Sequence, residues 1–416
     1  MQIHNKPLWE RRLVLYFSLC AVVIVISHLV FSYFNLLHTD VESARYMLSA
    51  MIQSEAAIVA IVVTLSLVVV QLAAQSYSAR VIEVFRRAPD LWILIGIYGI
   101  AIFYGLGVLK LIEMANPQLN SLSNLEHEIA FSFYLGVFSY VALVPYIWKM
   151  FDMVKPSDVF EIISGKITKK NILAAIREGE EQSDESDPIQ PIIDVIHASL
   201  MKYDPNTVRE GLRALGGAVE NIFKNEAFGK DEDEKVSKHV FSHITRIGKL
   251  VASKEDEAST IEVINNLYKC GIIATDRKFE SIAKHVAISL REIGKVAAKQ
   301  KLEKAVSRVA ISLGGIGEAA AEQELKYTSW FIAVNLGDVG EAAAKEELAD
   351  AAFMIATSLR EIGEITVKLK LINAASQATE SLQKLLIASK EHGLVEVSQI
   401  AELSLNQMNI ALGRLE

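Results

Sequence analysis

The stretch AISLGGIGEAAAEQE (310–324) recurs 23 residues later as AVNLGDVGEAAAKEE (333–347). With the same step of 23 residues, three columns stay apolar over eight copies, from about residue 233 to residue 416. Chance does not keep three columns apolar over so many copies, so this region is predicted to be a repeat array that resembles HEAT-like α-solenoids. Six copies also share a glycine, and these repeat glycines are Gly248, Gly271, Gly294, Gly317, Gly340 and Gly363.

The apolar positions within one copy indicate its secondary structure. In the copy that starts at Leu302 they are separated by steps of three and four, at 302, 306, 309, 313, 316 and 320. This spacing predicts one helix of about 18 residues per copy, with successive helices reversed in direction. Two short helices per copy, broken at the glycine, are the alternative. Thr275-Asp276 is predicted to cap a helix start, and Gly393 to close a helix end.

A glycine inside a helix costs about 1 kcal/mol relative to alanine, so a repeated glycine needs a structural reason. A glycine without a side chain lets two helix backbones approach closely. The repeat glycines are therefore predicted to be packing residues at contacts between neighbouring helices.

The N-terminal part of the chain has the composition of a membrane domain. The chain is 51% hydrophobic with a mean hydropathy of +0.28, which is high for a soluble protein. Four apolar stretches are long enough to cross a bilayer, at about 13–36, 51–75, 91–112 and 128–148. Residues 1–150 are thus predicted to form a four-helix transmembrane domain, and the fold class is all-α.

The basic residues that flank the four stretches predict the orientation. They concentrate before the first stretch, between the second and third, and after the fourth, whereas the other two loops hold only Arg45. Because cytoplasmic loops carry the excess of Lys and Arg, both termini are predicted to lie in the cytoplasm of a multi-pass plasma-membrane protein.

Two segments separate the membrane domain from the array. Residues 151–189 are predicted to form an amphipathic helix and then an acidic linker, EGEEQSDESDP (178–188). Residues 190–232 are predicted to form a helical hairpin, because Asp204-Pro205 fits a helix cap followed by proline at the first helical position.

Two phrases carry a family resemblance: MIQSEAAIVAIVVTLSLVVVQLAAQSYSARVIEVF (51–85) and QPIIDVIHASLMKYDPNTVREGLRAL (190–215). In this order, after four spans, they resemble domain-of-unknown-function family 2254, a set of predicted prokaryotic membrane proteins, over about residues 10–225. The chain departs from the family in having Ala79 where a proline is usual, Tyr203 where an asparagine is usual, and no strand-forming insert before Pro188. The resemblance implies the membrane topology and no activity, since the family has none assigned.

Polar residues in or beside the spans are candidates for an ion pathway, because such residues are costly in a bilayer. The alternative is structural: Glu55 and Lys110, both predicted near the outer ends of their helices, pair locally, and the others reach toward the headgroups. The candidate ion-pathway residues are Glu55, Gln71, Gln75, Arg80 and Lys110.

The sequence contains little that points to catalysis. It has no phosphate-binding loop, HExxH, CxxC or nucleophile elbow, so no enzymatic activity and no cofactor are expected. His239 and His243 are spaced for metal binding on one helix face, but no third ligand is evident and no metal site is predicted. Cys20 and Cys270 are predicted to be small apolar residues of the interior.

Two functions remain. The first is a membrane-anchored cytoplasmic interaction or sensing module, in which the array binds an unidentified protein partner or self-associates. The alternative is an oligomeric channel or transporter, with a pore lined by the second span. The bilayer is a partner in both, and the net charge of −8 gives no sign of nucleic-acid binding.

Overall fold

The computed structural model describes residues 8–34, 41–76, 89–114, 122–154, 156–179, 187–229 and 231–413. In these residues all regular secondary structure is α-helical, which confirms the predicted fold class. The chain divides into two compact units, residues 1–158 and 159–416.

The first unit contains four long helices. They are α1 (Leu8–Tyr33), α2 (Val41–Ser76), α3 (Pro89–Met114) and α4 (Leu122–Val154). By length and composition each is able to cross a membrane, over Arg12–Tyr33, Glu42–Val69, Asp90–Met114 and Leu125–Trp148. The four predicted spans are therefore confirmed as helices, but α2 begins at Val41, so residues 41–50, which lie before the second predicted span, are helical as well.

The first unit packs around aromatic and small residues. Tyr98, Tyr146 and Ala142 are buried in one cluster, where the Tyr146 hydroxyl lies 2.5 Å from Ser66 Oγ. Large apolar side chains cover the outside, and Phe17, Phe103 and Trp148 are each 70% exposed or more. An apolar exterior of this kind suits a lipid environment, because lipid tails solvate such side chains as well as a protein core does.

Two helical pairs follow α4, and the boundary between the units falls within the first turn of α5. They are α5 (Pro156–Ser164), α6 (Lys169–Gly179), α7 (Gln190–Met201) and α8 (Pro205–Asn225). The predicted amphipathic helix is thus two short helices, α5 and α6. The predicted cap before α8 is confirmed, since the Asp204 carboxylate accepts a hydrogen bond from Thr207 N at 3.2 Å and Pro205 starts the helix.

One helix forms in each copy of the repeat, as predicted. The helices are α9 (Glu232–Ser253), α10 (Glu257–Asp276), α11 (Glu280–Lys299), α12 (Glu303–Glu322), α13 (Lys326–Lys345), α14 (Ala349–Lys368), α15 (Ile372–Glu391) and α16 (Val395–Leu412). From α10 to α15 each helix has 20 residues, slightly longer than predicted.

Each turn between repeat helices has a residue in the left-handed conformation. Gly393 has φ +71°, as expected of a closing glycine, but the same position holds lysine or glutamate in the other copies, such as Lys301 at φ 56°. The Lys301 turn closes by backbone hydrogen bonds from Lys301 N to Ala298 O and from Leu302 N to Ala297 O, at 2.8 and 2.9 Å. The predicted cap at Thr275-Asp276 is wrong, because α10 continues through Asp276 and the residue before α11 is Phe279.

The repeat helices form two layers. Each helix packs on the next one and also on the one after that, so odd-numbered and even-numbered helices stack in separate layers. The repeat glycines lie at the contact between helices two copies apart. Each faces a large apolar residue 45 positions later, in the pairs Gly248–Ile293, Gly271–Ile316, Gly294–Val339, Gly317–Ile362, Gly340–Leu385 and Gly363–Met408. The repeat glycines thus lie at contacts between helices, and each one faces both the next helix and the helix two copies on.

The α7–α8 hairpin continues this packing. Helix α8 packs on α10, and Asn266 Nδ2 of α10 donates to Leu212 O of α8 at 2.9 Å. Gly216 of α8 takes the place of a repeat glycine, because a side chain there would collide with Asn266. The hairpin therefore has the role of a divergent copy at the start of the layers.

Charged residues also link helices within a layer. Lys249 Nζ lies 3.3 Å from Glu292, and Lys295 Nζ lies 3.1 Å from Asp338. The corresponding pair in the other layer has like charges, Glu318 and Glu361. Partial burial of Glu318, followed by the charge and hydrogen bonding of Glu361, raises the pKa of the Glu318 carboxyl.

Replacing glycine with alanine is expected to have opposite effects on stability at Gly317 and at Gly217. An added Cβ at Gly317 would lie 2.5 Å from Ile362 Cδ1, whereas at Gly217 nothing lies within 4 Å. Gly317→Ala is expected to cost about 1–3 kcal/mol through overpacking, and Gly217→Ala to gain up to about 1 kcal/mol through helix propensity. Urea unfolding of the full chain followed by circular dichroism measures both. Ile362→Val, which removes the colliding atom, should recover most of the Gly317→Ala loss; an undiminished loss would contradict the assigned contact.

The like-charged pair predicts a pH-dependent stability. Because the pKa of Glu318 is raised in the folded state, its contribution to stability is present below the ordinary glutamate pKa and is lost as pH rises through the raised value. Glu361→Lys should stabilise the protein at pH 7 by about 0.5 kcal/mol, as expected for a partly exposed pair. Thermal unfolding between pH 4 and pH 7 should show the gain shrinking at low pH. About 1 M salt should reduce it, and a gain independent of both pH and salt would rule out this electrostatic origin.

Candidate functional site

Glu55 lies in the interior of the four-helix unit. It is midway along the candidate span Glu42–Val69, so the predicted position near the outer end of its helix is wrong. Its side chain is fully buried. Ser139 Oγ of α4 donates to Glu55 Oε1 at 3.1 Å, and Oε2 has no hydrogen-bond partner among the described residues. Gly136 makes room for Met51 and for the carboxyl, since an added Cβ would collide with the Met51 thioether and lie 3.1 Å from Glu55 Oε1.

Of the other candidate ion-pathway residues, the two whose side chains are described, Gln71 and Lys110, do not join Glu55. Lys110 Nζ pairs with Glu113 Oε2 at 3.1 Å, and both side chains are exposed, so the alternative Glu55–Lys110 pair is wrong. Gln71 is exposed on α2. Gln75 lies in α2 with a side chain outside the described part of the chain, and Arg80 lies outside the described residues altogether.

Other polar groups of the same unit lie on α2, α3 and α4. The Tyr98 hydroxyl and Ser132 Oγ are buried without a hydrogen-bond partner in the described residues, and Tyr140 donates to Ser54 Oγ at 2.9 Å. A buried carboxyl with a partnerless oxygen is able to accept a proton or a cation.

A second polar cluster lies in the second unit. His239 and His243, one turn apart on α9, both direct Nε2 at Asp187 Oδ2, at 3.2 and 2.9 Å. Their ring centroids are 4.9 Å apart. The Asp187 carboxylate is held from its other side, where Oδ1 accepts a hydrogen bond from Ile189 N at 2.9 Å. The three donor groups lie within 4.8 Å of one another, a spacing that suits a metal ion.

The carboxylate of this cluster is strongly favoured in its charged form. Burial of Asp187 raises its pKa, but the two imidazoles and the Ile189 N–H outweigh burial, and the pKa lies well below the ordinary range. The spacing of the two histidines is recognisable in the sequence, whereas the role of Asp187 is not. That residue is remote from them in the chain and stands at the end of an acidic stretch, so no local pattern marks it.

Cys270 is buried in the core of the repeat array, as predicted, and Cys20 is partly buried against the apolar cluster of the first unit. Burial raises the pKa of the Cys270 thiol to about 12. A thiol in this state is not a nucleophile at neutral pH, because the thiolate is the reactive form.

An aromatic patch lies on the surface of the array. It consists of Tyr327, Trp330 and Phe331 at the start of α13, with ring centroids 5.8–6.4 Å apart. Tyr327 is 51% exposed, while Trp330 also packs against the buried Ala321, Leu371 and Ala374. Aromatic side chains in such settings are the typical anchors of protein interfaces.

Comparisons with known proteins identify the N-terminal region. Residues 8–199 match a family model described as predicted membrane protein (DUF2254). No curated protein matches the chain. Two similar solved structures are a "DHF46 filament", at 13% identity and a TM-score of 0.35 over 42% of this chain and 97% of that one, and a "Circular tandem repeat protein with novel repeat topology and enhanced subunit contact surfaces", at 12% identity and a TM-score of 0.37 over 96% of each chain.

The family match ends at residue 199, so it covers the four spans and α5 to α7 and leaves the regular repeats outside. Residues 8–199 thus resemble the predicted membrane protein family DUF2254, and a helical repeat array follows that region.

Proposed function

We propose that this protein is a membrane-anchored interaction module without enzymatic activity. The four apolar helices anchor it in the plasma membrane with both termini in the cytoplasm, and the repeat array binds a protein partner there. The distribution of basic residues around the spans supports this orientation.

The aromatic patch on α13 is the observation that carries the proposal. Interfaces between proteins are enriched in tyrosine, tryptophan and phenylalanine, and such residues supply most of the binding energy. Lys304, not an aromatic residue, takes the place of Tyr327 in the preceding copy. The aromatic residue at position 327 is thus a departure from the repeat pattern. Because Tyr327 is exposed, the packing of the array does not require an aromatic side chain there. Helical arrays typically present an extended surface to a partner, and the patch marks one point on it.

Site-specific photo-crosslinking in the native host tests this function. A photoreactive residue at position 327 of the full-length chain is expected to give one discrete adduct with another protein, identifiable by mass spectrometry. Phe331→Ala should reduce the adduct yield while leaving the helical circular dichroism unchanged. The matched control is the same probe at Lys304, which is exposed at the equivalent position of the preceding copy. An equal yield at Lys304, or no adduct at 327, would remove the support for this function, and an adduct with a second copy would assign self-association in its place.

Glu55 favours a second candidate function, a proton or cation pathway. A fully buried carboxyl at the middle of a span, with one oxygen unpartnered in the described residues, is characteristic of ion-coupled membrane proteins. Because Glu55 is buried within the protomer, this pathway runs between the helices of one unit. The carboxyl does not face outward, as lining an oligomeric pore would require.

A flux measurement separates the two functions. If Glu55 lies on an ion pathway, full-length protein in liposomes should show proton or cation flux, and Glu55→Gln should reduce it to the level of empty liposomes. A pH-sensitive dye inside the liposomes reports the proton flux. Gln53→Leu is the matched control, because Gln53 is exposed on the same helix two residues away. Flux that survives Glu55→Gln, or no flux in the unaltered protein, would leave Glu55 with a structural role.

A further inference from the structure

We propose that Asp187, His239 and His243 form a binding site for a divalent transition-metal ion of the zinc class. The site lies in the second unit, where the start of the α7–α8 hairpin meets the first repeat helix, α9. It goes beyond the proposed function, since neither partner binding nor ion conduction requires it.

The spacing of the donor atoms fits a metal ion. Zinc–nitrogen and zinc–oxygen bonds of about 2.0–2.1 Å at a tetrahedral angle place neighbouring donors about 3.3 Å apart. The observed separations from Asp187 Oδ2 are 3.2 Å to His239 Nε2 and 2.9 Å to His243 Nε2. The two imidazole nitrogens lie within 4.8 Å of each other, so an ion fits among the three donors after the side chains adjust.

The donor groups are held in place by the fold. The two histidines are one turn apart on α9, a helix packed into the array, so their side chains project from the same face. The Ile189 N–H engages Asp187 Oδ1 and leaves Oδ2 directed at the imidazoles. The three side chains are only 10–24% exposed, which limits the competition from water and leaves an opening for a fourth ligand.

Direct hydrogen bonding satisfies this cluster poorly. His239 Nε2 is buried and has no well-directed hydrogen bond among the described residues, although it lies 3.2 Å from the carboxylate. A buried polar atom left unpaired is unfavourable, because it has given up its hydrogen bonds to water. A metal ion between the three groups would engage this nitrogen together with His243 Nε2 and the carboxylate. Two imidazoles and one carboxylate form a ligand set that suits zinc and neighbouring transition metals, with an open position for water.

Arg246 is the group that opposes metal binding. Its Nη2 donates to His243 Nδ1 at 3.2 Å and to Gln190 Oε1 at 3.0 Å. An Nδ1 that accepts a hydrogen bond leaves the proton on Nε2, which a metal must displace. Arg246 is exposed, so it is able to move away from the ring. Replacing it with glutamine removes a positive charge and supplies an acceptor for Nδ1–H, the second-sphere contact that metal-bound histidines usually make.

The ion would cross-link two segments of the second unit. Asp187 precedes α7, whereas both histidines belong to α9, so one ion would connect the divergent hairpin to the regular repeats. Removing the metal would then loosen the first layer contact of the array.

Zinc binding by the full-length protein tests the proposal. The protein is purified in detergent without a polyhistidine tag, stripped with a chelator, and titrated with Zn²⁺ against a fluorescent competitor. We expect one equivalent of zinc, checked by elemental analysis, and a rise in the thermal unfolding midpoint when zinc is added.

Three variants assign the ligands. His239→Ala, His243→Ala and Asp187→Asn should each weaken zinc binding by more than about tenfold, since changes in the second sphere alone weaken it about 10–100-fold. Each should also lose the zinc-dependent rise in unfolding midpoint while keeping the helical circular dichroism. His197→Ala is the matched control, because His197 is exposed on α7 and outside the cluster. Arg246→Gln should tighten binding.

Two results would overturn the proposal. The first is the absence of saturable zinc binding by the unaltered protein, which would leave the cluster as a set of close polar contacts. The second is zinc binding that His197→Ala weakens as much as the three ligand variants do, since this indicates surface binding. A variant that fails to fold is replaced by His243→Gln or His239→Gln, which keep more of the side-chain volume.

Discussion

The contact between a helix backbone and an apolar side chain two copies later is the constraint on which the repeat array depends. The repeat glycines provide the space, and isoleucine, valine, leucine or methionine fills it. With a step of 23 residues per copy, one 20-residue helix and a three-residue turn reverse the chain each time. Each helix then lies alongside the helix two copies earlier, and the glycine lets these two helices approach closely enough to exclude water.

Much of this arrangement could be predicted from the sequence, because it rests on periodicity. The spacing of apolar residues between Leu302 and Ala320 gives the helix, and the glycine column gives the close contact. The partner helix could not be predicted, since a column repeats in every copy and does not say which copy it meets. The positions of the turns could not be predicted either. Lysine and glutamate occupy the left-handed positions there, and neither residue is a recognised helix-ending signal.

The candidate sites show the same difference between local and distant information. His239 and His243 form a local pattern, whereas Asp187 reaches them only because the hairpin packs on α9. Glu55 was visible as a polar residue in an apolar helix, but its depth depended on where α2 begins. Charge within residues 41–50 made that part resemble a loop, although it extends the helix. Packing of α2 against α4 then decides that Glu55 contacts Ser139 and not Lys110.

Because alternate helices lie in separate layers, the number of copies gained or lost decides which layer each later helix joins. Glycine columns are alike in successive copies, so helix packing alone would accept the loss or gain of a single copy. The charged contacts differ between layers: Lys249 and Lys295 meet acidic partners in one, while Glu318 meets Glu361 in the other. A change of one copy would exchange the layers for every later helix and mismatch these charges, whereas a change of two copies preserves the layer of each helix. Arrays of this design are thus expected to lengthen or shorten more readily by pairs of helices than by single helices.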